Sequence, residues 1–139
     1  KARSKQNFYN VDYEMNAHFA DLFETTDTHY LLISAMGANA QSKNFYNKVK
    51  GELENHIHSL NLKYVSILRP SLLLGERQEQ RTLEDMTQKL YQKFSHLVPN
   101  TFKYKPVTAE QVAHTMVDAA RTQTDKFEIY DNLRIQTCK

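Results

Sequence analysis

Three short apolar runs, separated by segments of helical periodicity, are the feature that most constrains how this chain can fold. The runs cover residues 29–33, 63–68 and 127–130, and each has the length of a β-strand. Parallel strands require crossover connections, which are usually helices, so this alternation predicts an α/β protein with a mostly parallel sheet. An open doubly wound sheet normally has more than three strands. We therefore predict a partial Rossmann-type doubly wound parallel sheet with flanking helices.

The segments around these runs carry apolar side chains at helical spacing, which usually marks the face of a helix that packs on a core. Ser42 is a candidate N-cap for the second helix, and Thr108 with Gln111 has the form of a capping box at the start of the fourth. The predicted stripes are Val11, Met15, Phe19, Leu22 and Phe23; Phe45, Val49, Leu53 and Ile57; Leu83, Met86, Leu90, Phe94 and Leu97; and Val112, Met116 and Ala119.

Composition narrows the class of protein. With 139 residues, 40% of them hydrophobic and 24% charged, the chain has the size and composition of one globular domain, residues 1–139. The net charge of +2 is dispersed, so we expect no nucleic-acid partner, and no apolar run is long enough to predict a membrane partner. The one cysteine, Cys138, cannot form an internal disulfide, and we therefore predict a cytoplasmic location.

The stretch SAMGANAQSKNFYNKVKGELE, residues 34–54, holds the candidate chemistry. Ser34 ends the first predicted strand, at the sheet edge where ligands bind in open α/β sheets. Tyr46 and Lys50 lie four residues apart on the next helix and share one of its faces. Since Tyr46 lies about 100° around the helix from Phe45, its face is expected to border a cleft rather than the core.

These three residue types could form a proton-transfer site. A free tyrosine has a pKa of about 10, but a neighbouring ammonium such as that of Lys50 favours the phenolate. Ser34 could then bind a carbonyl or alcohol oxygen while Tyr46 exchanges its proton. With eight tyrosines and twelve lysines, a Tyr-x-x-x-Lys pair is expected by chance about 0.7 times, so the pair alone is a weak motif. Its context strengthens the prediction: a strand, the serine, the tyrosine and lysine on a helix, and a second strand that ends in Arg-Pro follow one another along the chain.

Longer segments add a resemblance. The runs LLISAMGANAQSKNFYNKVKGELE, ILRPSLLLGERQEQR and KPVTAEQVAHTMVDAA resemble the atypical branch of the short-chain dehydrogenase/reductase superfamily, the NAD(P)H-binding branch that includes the Tat-interacting protein. The resemblance covers nearly the whole chain. It implies an NAD(P)H-dependent oxidoreductase or epimerase-like enzyme acting on a small carbonyl or alcohol substrate. It leaves open, as the alternative, a non-catalytic NAD(P)H-sensing regulatory or protein-interaction module, although the presence of serine, tyrosine and lysine together favours the enzyme.

The resemblance also implies residue roles. Tyr46 would be the general acid/base, Lys50 would assist it and bind the nicotinamide ribose, and Ser34 would orient the substrate. The backbone from Pro70 to Leu72 would border the nicotinamide of NADP, or of NAD. Arg77 and Arg81 would lie towards the substrate, although a solvated helix start explains those two arginines slightly better.

One part of that pattern is missing from the sequence. The glycine-rich turn that approaches a dinucleotide pyrophosphate has no counterpart among Gly37, Gly51 and Gly75. We therefore expect the chain to be the carboxyl-terminal portion of an NAD(P)-binding Rossmann-fold protein, or else a degenerate chain that does not bind a dinucleotide by itself. As a portion, it should form homo-oligomers where the sheet edge and a helix face are uncovered. His56 and His58 are two residues apart on a helix and predict no metal site.

Overall fold

The computed structural model of the chain describes residues 4–74 and 103–138. The predicted third helix, residues 83–97, lies outside these ranges. In chain order, the elements are α1 (Lys5–Tyr9), a π-helical turn (Asn10–Glu14), α2 (Met15–Asp21), β1 (His29–Ile33), α3 (Phe45–Ser59), β2 (Tyr64–Leu68), β3 (Leu73–Leu74), β4 (Val107–Thr108), α4 (Ala109–Thr122), β5 (Phe127–Tyr130) and α5 (Asn132–Thr137).

The main sheet is parallel and has the strand order β1-β2-β5. Ile33 of β1 is paired with Leu68 of β2, which is paired with Tyr130 of β5, so the carboxyl ends of the three strands are level. This arrangement confirms the predicted α/β class and the partial parallel sheet. The short parallel pair of β3 and β4 was not predicted, because strands of two residues leave no periodic signal.

Successive side chains of a strand point to opposite faces of the sheet, and helices cover both faces here. On one face, Tyr30 and Leu32 of β1 pack with Leu53 and Ile57 of α3, in a core that also contains Ala17 and other apolar residues. The second core lies among the central strand, α4 and α5, and its buried members are Leu68, Val107, Val112, Ala119, Tyr130 and Ile135. The result is a three-layer α/β/α arrangement.

The first helical segment has the predicted period but turns a different face inward. Four large side chains of the predicted stripe are exposed: Val11 by 53%, Met15 by 65%, Phe19 by 55% and Leu22 by 75%. The fifth, Phe23, is partly buried and packs against the first core. Residues with small side chains, including Ala17, are buried on this helix, and these allow it to pack closely. The predicted helix is therefore confirmed, and the prediction of its core-facing stripe is wrong except at Phe23.

Side-chain caps begin the two longest helices in residues 4–74 and 103–138. Thr108 and Gln111 form both hydrogen bonds of the predicted capping box at the start of α4. The N-cap of α3 is Asn44, whose side chain accepts from the amide of Asn47, rather than the predicted Ser42. Ser42 lies in the loop before the helix, where its Oγ accepts a hydrogen bond of 3.1 Å from the backbone nitrogen of Asn44.

A polar network lies between the central strand and α4. Ser66 is fully buried, and its hydroxyl donates to Oε1 of Gln123. Because that bond uses the only hydroxyl hydrogen, Nε2 of His29 is the donor in its 2.7 Å contact with the Ser66 oxygen. Burial lowers the pKa of the His29 imidazole, and the nearby Glu128 carboxylate opposes this effect. The network satisfies polar groups that would otherwise be costly to bury.

Candidate functional site

Ser34 follows directly after β1, at the level carboxyl edge of the sheet. Its backbone nitrogen donates a 2.8 Å hydrogen bond to the carbonyl oxygen of Leu68, which continues the pairing with the central strand. The residue is only 5% exposed. Its Oγ is buried and has no hydrogen-bond partner among the residues that the structure describes. A buried hydroxyl without a partner is unusual and calls for an explanation.

The loop after Ser34 is held against α3. The backbone nitrogen of Asn39 donates a 3.0 Å bond to the carbonyl oxygen of Asn47 on the helix. A Cβ atom on Gly51 would lie 2.2 Å from the backbone nitrogen of Ala40 and 2.3 Å from the carbonyl carbon of Asn39. Only glycine permits this approach, so Gly51 serves the packing of the loop that leads from Ser34 to α3.

Tyr46 lies in the first turn of α3 and is 44% exposed. Its ring packs against that of Phe8 at a centroid distance of 5.5 Å. The ammonium of Lys50 lies 5.9 Å from the centroid of the Tyr46 ring, so the predicted tyrosine and lysine are neighbours on one face of α3. Within the described residues, no hydrogen bond links Tyr46 to Ser34.

Lys50 has a partner that the sequence did not reveal. Its Nζ donates a 2.8 Å hydrogen bond to Oδ1 of Asp12 in the π-helical turn, and the two side chains are 11% and 26% exposed. Asp12 and Lys50 are separated by 38 residues, and no pattern in the sequence connects them. The sequence analysis therefore missed the acidic partner of Lys50.

The other predicted residues border the same edge of the sheet. Pro70 is buried, and its carbonyl oxygen accepts a 2.9 Å bond from the backbone nitrogen of Met36. Leu72 is 43% exposed, and its carbonyl oxygen accepts a 3.0 Å bond from Val107. Both carbonyls are therefore engaged with the backbone. Arg77 and Arg81 lie outside the described residues.

A buried ion pair joins α3 to the end of β2. Glu54 is 5% exposed, and Arg69 donates to both of its carboxylate oxygens, from Nε at 3.0 Å and from Nη2. The hydrogen bond to Glu54 raises the pKa of the Arg69 guanidinium above its already high value. This pair fixes the helix that carries Tyr46 to the strand end that leads into Pro70.

No group of three or more histidine, cysteine or acidic side chains suited to a metal ion occurs in residues 4–74 and 103–138. His56 contacts Oδ1 of Asp21 at 2.8 Å, while His58 packs edge-on against the ring of Phe127 at 4.4 Å. The two imidazoles thus have different partners. In the same ranges, no helix combines the length and apolar character of a membrane span.

An open groove of about 600 Å³ lies along the first helical segment, away from Ser34, Tyr46 and Lys50. It is lined by Asn10, Tyr13, Glu14, Met15, Ala17, His18, Asp21 and His56. None of the predicted site residues contributes to it.

Comparison with known proteins finds relatives of this chain among fungal proteins. The chain is similar to fungal proteins named FMP52. It is 36% identical over 126 residues to the mitochondrial protein FMP52-1 of Scheffersomyces stipitis, an alignment that covers 90% of this chain and 56% of the relative. The mitochondrial FMP52 proteins of Debaryomyces hansenii and Candida albicans are each 36% identical, over 83% and 87% of this chain and 51% and 53% of theirs. No family model matches the chain.

These relatives correct the family resemblance inferred from the motifs. They align with most of the chain and bear the FMP52 name, so the assignment to the atypical short-chain dehydrogenase/reductase branch is wrong. Some residues of the segments that suggested the resemblance have packing roles: Gly51 permits the close approach of a loop, and Glu54 pairs with Arg69. Residues with such packing roles identify a structural unit and not a particular family.

The cytoplasmic location is corrected by the same comparison, because these relatives are named as mitochondrial. That prediction depended on a single cysteine, Cys138, which argues only against a disulfide scaffold. A single cysteine does not distinguish the cytoplasm from other compartments whose proteins lack disulfides. The chain spans about half the length of the curated relatives it matches.

Proposed function

We propose that this chain carries the proton-transfer side of an NAD(P)H-dependent oxidoreductase, or of an epimerase-like enzyme, that acts on a small carbonyl or alcohol substrate. The Oγ of Ser34 at the carboxyl edge of the sheet carries the proposal, because it is buried and has no hydrogen-bond partner in residues 4–74 and 103–138. Leaving a buried hydroxyl unpaired costs about 1–3 kcal/mol. Such a cost is explained if the hydroxyl binds a ligand oxygen in the working protein.

The proposed roles follow from the chemistry of the three side chains. Ser34 would orient the oxygen of the substrate, and Tyr46, which is partly exposed beside the Lys50 ammonium, would give or take the proton of that oxygen. Lys50 would also bind hydroxyl groups of the dinucleotide ribose. The dinucleotide itself, NADP or NAD, supplies the hydride chemistry when bound. Pro70 and Leu72 are proposed to border its nicotinamide.

The pyrophosphate would be bound elsewhere. Gly51 is committed to contact with a loop, and the Cβ position of Gly37 faces the side chain of Asn47, so neither glycine belongs to a glycine-rich turn. We propose that these 139 residues are the carboxyl-terminal portion of a longer polypeptide that supplies this turn. The greater length of the relatives supports the proposal, and their names support a mitochondrial setting.

A non-catalytic NAD(P)H-sensing or interaction module is the second candidate. The absence of a hydrogen bond between Ser34 and Tyr46 in the described residues favours this candidate over an enzyme whose catalytic groups are already in contact. Turnover distinguishes the two candidates.

Replacing Ser34 with alanine tests the proposal through two opposed effects. Because the hydroxyl has no partner among the described residues, Ser34→Ala should leave the free energy of unfolding unchanged or raise it by about 1 kcal/mol. The same change should reduce NAD(P)H-dependent carbonyl reduction by the complete polypeptide by about tenfold or more, because one hydrogen bond to the reacting oxygen is lost. Denaturant titration and steady-state kinetics with a panel of aldehydes and ketones measure the two effects.

Ser66→Ala is the matched control, since Ser66 is also buried but its hydroxyl is bonded to Gln123 and His29. It should reduce stability by about 1–3 kcal/mol, because buried polar partners are left unpaired, and have little effect on the turnover of the folded protein. If Ser34→Ala behaves like Ser66→Ala, the Ser34 hydroxyl is structural and the proposed function loses its main support.

A further inference from the structure

The first helical segment reaches the candidate site at its π-helical turn. This turn, Asn10–Glu14, interrupts the α-helical path between α1 and α2. Isolated π-helical turns are rare and occur frequently at functional sites. Asp12 lies within the turn and projects towards α3, whereas its neighbour Val11 is exposed.

Asp12 is the partner that determines where the Lys50 ammonium lies. A lysine side chain is long and flexible, and it normally extends its charge into water. The Lys50 side chain is instead only 11% exposed, and its Nζ is held 2.8 Å from Oδ1 of Asp12. A charge buried to this extent requires an opposite charge beside it. Without the carboxylate, the ammonium would gain hydration by moving away from its place near Tyr46.

The hydrogen-bonding capacity of an ammonium leaves room for a ligand. Lys50 has three N–H donors, and Asp12 accepts one of them. Among the described residues no other group accepts from Lys50, so two donors remain for hydroxyl oxygens, which is the number that one ribose diol can accept. The ion pair with Asp12 therefore orients the ammonium without preventing it from binding a ligand.

We propose that Asp12 is the positioning residue for Lys50: it holds the ammonium beside Tyr46 with two donors free for the ribose hydroxyls of the dinucleotide. This inference rests on the function proposed above. Asp12 has no contact with the reacting atoms in this account and acts only through Lys50.

Two measurements on the complete polypeptide test this role in Asp12→Asn. Acylation of Lys50 by an amine-reactive acetyl ester, followed by peptide mass spectrometry, reports whether the amine has left its buried place. We expect it to rise several-fold relative to Lys48, which is already 51% exposed. We also expect the KM for NADPH to rise about tenfold, with a smaller change in kcat, because one charged hydrogen-bond donor is mispositioned.

Two further variants act as controls. Asp12→Glu keeps the carboxylate and should return both Lys50 acylation and the KM for NADPH most of the way to their wild-type values. A purely structural role of the aspartate side chain would not allow this recovery. Asp21→Asn removes a carboxylate from the same helical segment, where it is bonded to His56, and should change neither measurement.

The outcomes separate this inference from the proposed function. Unchanged Lys50 acylation in Asp12→Asn overturns the positioning role and leaves the proposed function standing. Increased acylation with neither NADPH binding nor NADPH-dependent turnover, even in the wild-type polypeptide, overturns the proposed function and with it the role of Asp12 in dinucleotide binding. Increased acylation together with the higher KM, both restored by Asp12→Glu, is the result we expect.

Discussion

Replacing Tyr46 with phenylalanine should reduce turnover of the complete polypeptide by about 10²–10⁴-fold, the usual contribution of a positioned general acid or base. The substitution removes the transferable proton and keeps the ring that packs on Phe8. Tyr46 is 44% exposed, and its hydroxyl has no hydrogen-bond partner in the part of the chain that the structure describes, so stability and dinucleotide affinity should hardly change. Steady-state kinetics and NADPH titration of the same preparation measure both properties.

Tyr9→Phe is a suitable control for that experiment. Tyr9 is next to Phe8 in α1 and stacks on Tyr13 at a centroid distance of 4.8 Å, but it has no proposed role. Its replacement should leave turnover at the wild-type value. If Tyr46→Phe also retains full turnover, Tyr46 is not the acid or base, and the non-catalytic sensing module becomes the better account.

The largest expected effect on stability belongs to Glu54. Glu54→Ala should reduce the free energy of unfolding by about 3 kcal/mol or more, because removing one partner of a buried ion pair leaves the other charge uncompensated. Arg69 is bound through two of its nitrogens to Glu54, and its side chain is 29% exposed, which allows only partial rehydration. Denaturant titration of the 139-residue chain measures this loss.

The exposed pair of Lys48 and Glu52 offers a control on the same helix. Its charged atoms are 3.8 Å apart and its side chains are 51% and 31% exposed. Glu52→Ala should therefore cost only about 0.2–1 kcal/mol. A loss for Glu54→Ala no larger than this value would show that the buried pair does not hold α3 to the end of β2.

The sheet could be predicted because its strands give strong local signals. The predicted runs 29–33 and 127–130 have the same limits as β1 and β5, and 63–68 differs from β2 by one residue. Short runs rich in apolar and aromatic residues indicate strands, and this pattern can be read without tertiary information. The capping box of α4 was equally local, since it depends on Thr108 and Gln111 alone.

The orientation of the first helix could not be predicted from the same kind of signal. Two sets of its side chains have helical spacing, and the set of larger apolar residues is a reasonable choice for the core. The structure buries the smaller set, which includes Ala17 and Ala20, because close packing favours short side chains at a helix contact. Which face of the helix is buried depends on the shape of the surface it packs against, and the sequence of the helix alone does not specify that surface.

At the candidate site, the sequence predicted positions but not contacts. Ser34 lies at a strand end and Tyr46 and Lys50 share a helix face, both of which follow from period and order. The ion pair of Lys50 with Asp12 depends on the π-helical turn and on how two helices pack. Neither feature has a sequence signal, because π-helical turns arise from tertiary constraints rather than from residue preference.

Calorimetric titration with NADPH is the measurement that tests the central claim most directly. We predict that the complete wild-type polypeptide binds NADPH, that Lys50→Ala weakens this binding about tenfold or more, and that Lys48→Ala, which removes an exposed ammonium from the same helix, does not. Residues 1–139 alone should bind NADPH negligibly, because the backbone donors for the pyrophosphate are proposed to lie elsewhere in the polypeptide. Equal affinities for wild type and Lys50→Ala, or no binding by the complete polypeptide, would contradict the account.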